Sequence, residues 1–282
     1  MKTIGFVDYY ISEWHANNYP AWFKEVNEKM GKDFVVKYAW AEEDVSPVDG
    51  RTTDEWCKEY GVEKCNTLQE LCEKADYICV LSPSNPEKHL QYVKEVFKYK
   101  KNTYVDKTFA PDYKTAKEIF DIAEKYGTKF FSSSALRYVD ELNPYIGNAA
   151  VISTCGGGGS VEEYIVHQAE MVVKVMQSGA QRVRVENLNG HYFVRVQFTE
   201  GREASMFFAS CLDFNFAVMR KNSEWSETSE IKSATFKNLL SDILRFYEEG
   251  TTSFDVNQTL EVMKIREGVL KGVSNLDQWI EL

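Results

Sequence analysis

The chain has 282 residues, 44% of them hydrophobic, and a formal net charge of −10. This length allows two subdomains, each with a buried core. The negative charge disfavours binding to nucleic acid or to anionic membranes, because phosphate groups are bound by clustered cations. A small molecule is therefore the expected partner.

The cysteines and the apolar runs indicate a cytoplasmic protein. Six cysteines occur without a CxxC pair, and the sequence lacks His-x3-His spacing, so we expect reduced thiols and no metal site. The sequence starts directly with an apolar strand pattern rather than a signal peptide. No apolar run approaches the length that spans a bilayer.

The first half of the chain alternates short β-rich runs with amphipathic segments. This alternation predicts an α/β fold with a Rossmann-type, doubly wound parallel sheet, whose ligand cleft lies at the carboxyl ends of the strands. We predict a first domain at residues 1–137. Its strands are predicted at 3–7, 34–41, 77–82, 103–106 and 129–133, and its helices at 13–30, 52–60, 67–75, 86–99 and 112–126.

The pattern changes after about residue 146 to one glycine-led helix followed by consecutive strands. It predicts a second, α+β domain at residues 138–282 with an open, mostly antiparallel sheet. A turn at 199–202 should join two of its strands. The helices are predicted at 160–178, 233–249 and 256–273, and the strands at 181–187, 191–199, 203–209 and 213–220.

The predicted helix at 160–178 brings ionisable side chains together. Glu163, His167 and Glu170 are spaced by four and three residues, so they lie on one helical face. A histidine oriented by a carboxylate can act as an acid or base near neutral pH. The alternative is structural, because Ser160 and Glu163 also fit a capping box at the start of the helix.

Four glycines at 156–159 precede this helix. A loop without side chains next to free helix-end amides can bind a carboxylate or phosphate. The alternative, which we favour, is a flexible crossover.

Several segments, taken in order, resemble the Gfo/Idh/MocA oxidoreductases, a family named for glucose-fructose oxidoreductase and inositol dehydrogenases. ADYICVLSPSNPEKH at 75–89 resembles the family's "aD-x-V-x-I-x-TPn-x-x-H" segment, and YVDKT at 104–108 resembles its "V-x-x-E-K-P" strand end. Leu136-Arg137 resembles the basic residue that follows. The helix with His167 stands where the family has "D-x-x-x-H-x-x-D", and the segments around 246–250 and 260–262 resemble its closing helices.

The resemblance implies a nicotinamide cofactor, NAD or NADP, in the first domain and a substrate in the second. It makes Lys107 and His167 the expected proton-transfer residues, with Glu163 as substrate ligand or orienter of the histidine. Arg137 and Glu170 become expected substrate ligands. The expected cofactor-binding residues are Asp8, Tyr10, Glu42, Ser82, Asn85 and His89.

The loop after the first strand departs from the family pattern. The fingerprint G-x-G-x-x-G lets the cofactor pyrophosphate approach the backbone, but here Asp8 and Tyr10 occupy the first two glycine positions. We therefore expect weak cofactor binding, with NAD favoured because Glu42 and Glu43 would oppose a ribose phosphate. Thr108 replaces the proline that normally follows the lysine.

Two functions are compatible with these residues. The first is an NAD(P)-dependent oxidoreductase acting on a sugar, a polyol or a related hydroxylated molecule. The second is a noncatalytic ligand-binding or regulatory protein that has lost dinucleotide binding.

We also expect a homodimer or a higher homo-oligomer. Aromatic residues occupy both phases of the C-terminal strands, such as Phe193 with Phe198 and Phe207 with Phe208, so both faces of the sheet should be covered. The alternative is that the loop around Trp225 covers the second face within one chain.

Overall fold

The computed structural model describes residues 1–223 and 226–282, and the chain forms two compact units. The first unit contains Met1–Ser133 and Lys237–Val256, and the second contains Ser134–Phe236 and Asn257–Leu282. Trp225, which we considered as a cover for the second sheet, lies outside the described residues. None of the helices in the described ranges is long and apolar enough to cross a membrane.

The first unit is built on a six-stranded parallel sheet with the strand order β3-β2-β1-β4-β5-β6. This is the order of a doubly wound nucleotide-binding sheet, so the predicted Rossmann-type fold is confirmed. The short strand β3 was not predicted. The strands are β1 (Lys2–Asp8), β2 (Phe34–Ala41), β3 (Glu63–Lys64), β4 (Tyr77–Val80), β5 (Thr103–Val105) and β6 (Phe130–Phe131).

Capping residues mark ends of helices in this unit. Thr52 and Glu55 form a reciprocal capping box at the start of α2, and Gly127 ends α5 with a positive φ of 68°. The predicted helix at 86–99 is α4 flanked by two 3-10 turns. The helices are α1 (Trp14–Met30), α2 (Thr53–Tyr60), α3 (Leu68–Lys74), α4 (His89–Val96) and α5 (Tyr113–Tyr126).

The second unit contains a seven-stranded sheet with the order β12-β11-β7-β10-β9-β8-β13. β7 and β10 pair in parallel and the other pairings in the described residues are antiparallel, which confirms an open, mostly antiparallel sheet. We did not predict β7, β12 or β13. The strands are β7 (Ala149–Gly156), β8 (Ala180–Leu188), β9 (His191–Phe198), β10 (Glu203–Phe208), β11 (Asn215–Arg220), β12 (Ser226–Ser229) and β13 (Trp279–Glu281).

Two helices, α6 (Val161–Met176) and α8 (Gln258–Val273), pack on one face of this sheet. The packing is close, because a Cβ atom added at Gly272 would lie 2.5 Å from Val185 of β8. The covered face is fully buried, whereas Phe193 and Phe207 on the other face are half-buried.

The remaining helix, α7 (Thr235–Glu249), contributes to the core of the first unit. The Tyr247 hydroxyl donates to the Ile78 carbonyl at 2.9 Å, and its ring stacks on Tyr77 with the centroids 4.8 Å apart. Phe246 packs edge-on against Phe131 at 4.9 Å. Residues far apart in sequence therefore complete the parallel sheet unit.

Candidate functional site

Asp8 ends β1 as a buried carboxyl group. Its Oδ1 accepts from the Tyr9 amide at 2.7 Å and from the Ser82 hydroxyl at 3.1 Å, whereas its buried Oδ2 has no hydrogen-bond partner among the described residues. Burial raises the pKa of Asp8 well above its ordinary value, and the nearby charge of Glu13 adds to this effect. A carboxyl group with a raised pKa is held in its neutral form over a wider pH range.

Glu13 occupies the start of α1. Its carboxylate accepts hydrogen bonds from the amides of His15, at 2.7 Å, and of Ala16. These amides carry the partial positive charge of the helix N-terminus, where an anionic ligand would otherwise bind. Burial raises the pKa of Glu13, although these hydrogen bonds and the charge of His15 oppose the increase. Glu13 was not among the residues predicted from the sequence.

A buried histidine–aspartate pair lies in the same unit. Nδ1 of His15 is hydrogen-bonded to Oδ2 of Asp106, which follows β5, and the Tyr104 hydroxyl donates to Oδ1 of Asp106 at 3.0 Å. Burial by itself would raise the pKa of Asp106, but the charge and hydrogen bond of His15 outweigh it and lower this pKa. This pair was not predicted from the sequence. The available signal was weak, because Asp106 directly follows β5 but His15 lies in the first turn of α1, the helix after β1.

Glu42, an expected cofactor-binding residue after β2, is hydrogen-bonded within the chain. Its Oε1 accepts from Lys88 Nζ at 2.6 Å and its Oε2 accepts from the Tyr92 hydroxyl at 2.7 Å. Burial raises the pKa of Glu42, but the bonds from Lys88 and Tyr92 outweigh this effect, so the net pKa is lowered. Lys88 also lies over the Tyr9 ring at 4.4 Å, and Tyr10 packs against Tyr9 with the centroids 5.7 Å apart.

The segment after β4 carries the other expected cofactor ligands. Ser82, with a φ of 65°, accepts from the Tyr9 amide at 2.9 Å. The Asn85 side chain donates to Glu87 at 3.1 Å. His89 is fully buried, and its two ring nitrogens contact the carbonyl oxygens of Phe109 and Leu81. Burial lowers the pKa of His89. A role of these residues in cofactor binding stays a prediction.

Lys107 follows β5 and is 9% exposed. Its amide donates to Asp106 Oδ1 at 2.8 Å, and its peptide bond to Thr108 is cis. Lys107 belongs to the first unit, whereas Glu163 and His167 belong to the second. The predicted convergence of these three residues stays a prediction.

His167 lies on α6, half-buried, among residues of the second unit. Its Nδ1 is 2.6 Å from the Ser134 hydroxyl oxygen. The rings of Tyr164 and Phe214 meet it edge-on, each with its centroid 5.5 Å from that of the imidazole. Glu163 is on the preceding turn, where its amide donates to the N-cap residue Ser160 at 3.2 Å.

Glu170 and Arg137, the expected substrate ligands, form a buried ion pair with each other. Glu170 Oε2 accepts from Arg137 Nε at 2.5 Å, and its Oε1 accepts from the Ser134 amide at 3.0 Å. Arg137 also donates to Gln258 of α8 at 2.7 Å. These contacts fix the segment after Ser133 to α6. The assignment of the pair to a substrate stays a prediction.

The residues after β1 do not fit a dinucleotide bound in the usual way. The pyrophosphate requires free amides at the start of α1 and a loop that it can approach closely. Here the Glu13 carboxylate takes two of those amides, and the loop residues Ile11 and Ser12 are buried. The two oxygens of Glu42 accept hydrogen bonds within the chain. Two amides at the start of α1 that a phosphate would use are therefore already bonded to Glu13.

Residues 43–134 match the model of the Gfo/Idh/MocA family, described as an oxidoreductase family with an NAD-binding Rossmann fold. The resemblance seen in the sequence is thereby confirmed. The matched range leaves out β1, the loop after it and α1, which are the parts that depart from the cofactor-binding pattern. No curated protein matches the chain.

Solved structures share the fold over the whole chain. A probable dehydrogenase from Thermotoga maritima has a TM-score of 0.79 at 12% identity, covering 99% of this chain and 98% of its own. For scyllo-inositol dehydrogenase from Lactobacillus casei the TM-score is 0.74 at 13% identity, with coverage of 99% and 98%.

An oxidoreductase from Agrobacterium radiobacter, solved with NAD+, L-tartaric acid and magnesium, has a TM-score of 0.76 at 11% identity, again covering 99% and 98%. Identities this low show the fold alone.

Proposed function

We propose, from the premise that residues 43–134 match an oxidoreductase family, that this chain binds a hydroxylated small molecule without using a nicotinamide dinucleotide. The observation that carries the proposal is the Glu13 carboxylate on the first amides of α1. A helix N-terminus already capped by a buried carboxylate offers a second anion neither free amides nor space. The chain is then a ligand-binding or regulatory protein on an oxidoreductase scaffold.

The proposed ligand is a sugar, a polyol or a related molecule, bound near His167. An imidazole flanked by two aromatic rings offers both a polar atom and apolar walls, as small-molecule sites do. One neighbour in fold is named a scyllo-inositol dehydrogenase, which supports a hydroxylated ligand for this scaffold.

A second candidate function is an NAD-dependent oxidoreductase acting on the same class of molecule. It is favoured by Lys107, which the family resemblance implies is a proton-transfer residue. Lys107 follows β5, and its amide donates to Asp106. In this case Lys107 and His167 would transfer protons and Glu163 would orient the histidine or bind substrate. NAD would be favoured over NADP because of Glu42 and Glu43.

Calorimetric titration with NAD(H) and NADP(H) separates the two candidates. We expect the native protein to bind each with a Kd weaker than roughly 100 µM, equivalent to less than about 5.5 kcal/mol. Replacing Asp8, Tyr10 and Glu13 together with glycine should strengthen NAD binding, since it frees both the amides and the space.

The matched control is the double variant Asp8→Asn and Glu13→Gln. It removes the charges but keeps the side-chain volume, so binding should stay weak if occupancy is the obstacle. Submicromolar binding of either dinucleotide to the native protein would reject the proposal in favour of the oxidoreductase.

We further propose a cytoplasmic homodimer. The free, buried thiols of Cys57, Cys65, Cys72 and Cys79 suit a reducing compartment. The half-buried rings of Phe193 and Phe207, paired in register on the open face of the second sheet, are suited to an interface between two copies.

A further inference from the structure

A cavity of about 420 Å³ opens in the first unit, at the opposite end of the parallel strands from Asp8 and Ser82. It is lined by the second half of α1, by the start of β2 and by Tyr60 at the end of α2. None of the residues assigned above to a cofactor or a substrate lines it. A cavity of this volume is large enough for a small organic molecule.

The inner wall of this cavity is apolar and fixed in place. Phe23 of α1 and Val36 of β2, which form part of the wall, are 1% and 6% exposed. Asn27 ties α1 to β2, because its side-chain amide donates to the Phe34 carbonyl at 2.6 Å and its Oδ1 accepts from the Phe34 amide at 3.1 Å. A ligand can therefore bury an apolar group there without a rearrangement of the wall.

The rim of the cavity carries one ammonium group and one carboxylate that lack partners. Of the charged residues that line it, Lys32 pairs with Glu248, and Asp33 pairs with the N-terminal amino group at 3.2 Å. Lys24 and Glu28 are exposed and make no ion pair or hydrogen bond within the described part of the chain. They lie one turn apart on α1, in the order that is the weaker one for a lysine–glutamate pair on a helix.

We propose that this cavity binds a free amino acid with an apolar side chain. The α-carboxylate pairs with Lys24 and the α-ammonium pairs with Glu28, while the side chain lies against the apolar wall. A ligand with only an acidic or only a basic group would leave one of the two rim charges without a partner. Both ion pairs are exposed to water and add little affinity, so the apolar contact supplies most of it.

Three ligands that share one apolar group test the charge requirement: L-leucine, isocaproate, which lacks the amino group, and isoamylamine, which lacks the carboxylate. In calorimetry on the full chain we expect leucine to bind with a Kd of roughly 1 mM and the other two more weakly. Lys24→Gln should weaken leucine binding roughly fivefold and leave isoamylamine binding unchanged. Glu28→Gln should weaken leucine binding and leave isocaproate binding unchanged.

Two further variants serve as matched controls. Lys29 of α1 and Glu124 of α5 are exposed and do not line the cavity, so Lys29→Gln and Glu124→Gln should leave leucine binding unchanged. The position of the ligand is read from amide ¹H–¹⁵N spectra of labelled protein. Leucine should shift the signals of residues 20–36 and of Tyr60.

Several results would overturn the proposal. They are the absence of saturable leucine binding at ten times the expected Kd, an unchanged leucine affinity in both rim variants, and tighter binding of isocaproate than of leucine. The last result would make the occupant a carboxylic acid. Signal shifts centred on His167 would reject the cavity as the binding site. The proposed function is tested separately, by the dinucleotide titration, so the two can fail independently.

Discussion

At the scale of single residues, Asp8 is expected to limit stability at neutral pH. Its pKa is raised by burial, so the folded state binds a proton that the unfolded state has released above its ordinary pKa of 3.8. The stability that it contributes is therefore fully present below that pH and is lost as pH rises through the raised pKa. Asp8→Asn keeps an acceptor for Tyr9 and Ser82, removes the titration, and should raise the free energy of unfolding at pH 7.

Urea unfolding of the native protein and of Asp8→Asn at several pH values measures this effect. The exposed residue Asp121 on α5 provides the control Asp121→Asn, for which we expect a pH profile like that of the native protein. If Asp8→Asn were less stable than the native protein at pH 7, the account of Asp8 as a buried, costly charge would be wrong.

Which residues meet at the carboxyl ends of the strands could be predicted only in part. Asp8 was identified because it occupies a glycine position of the fingerprint after β1, and Lys107 because the segment after β5 resembles the family's strand end. The His15–Asp106 pair joins residues 91 apart, and Glu13 turns back onto its own helix. Loop conformation decides such contacts, and it depends on packing that residue spacing does not encode.

At the scale of secondary structure elements, Gly5 allows β1 and α3 to pack closely. A Cβ atom at Gly5 would lie 2.7 Å from Leu71 and 2.9 Å from Ala75. Gly5→Ala should therefore destabilise the protein by about 1–3 kcal/mol through overpacking. The control is Gly179→Ala, where nothing lies within 4 Å, and which should change the stability by less than about 0.5 kcal/mol. Equal unfolding midpoints for the two variants in thermal denaturation would contradict this packing.

Periodicity predicted most helices and strands because their apolar residues repeat at the spacing of one buried face. It failed for β7, whose sequence AAVISTCG has few large apolar residues. This strand lies between β11 and β10, and small residues suffice there because neighbouring strands and α6 supply the packing. Gln168 of α6 donates to the Gly156 carbonyl at 2.9 Å, a contact that no local pattern reveals. The terminal strand β13, with three residues, is too short to show a period.

At the scale of the whole molecule, we expect a dimer of about twice 32.5 kDa. Phe193 and Phe207 face the open side of the sheet, and an aromatic sheet face left in water would favour aggregation. Sedimentation at micromolar concentration should show the dimer for the native protein. Phe207→Glu should shift it to the monomer, because a charge would be buried in the interface.

Ile146→Glu is the matched control, since this side chain is 45% exposed and lies outside the sheet. It should leave the dimer intact. A stable, soluble monomer of the native chain would reject the homodimer. The open face of the second sheet would then have to be covered by something other than a second copy.

The assignment of α7 to the first unit has a consequence for synthesis on the ribosome. The sheet of this unit is complete by residue 131, but Tyr247 and Phe246 reach their places against Ile78 and Phe131 only after the intervening residues 134–236 have been made. At 5–20 residues per second this interval lasts roughly 5–20 s. During that time the nascent sheet leaves uncovered the apolar surface that α7 later buries, so chaperone binding to nascent chains should end once residue 256 has left the exit tunnel.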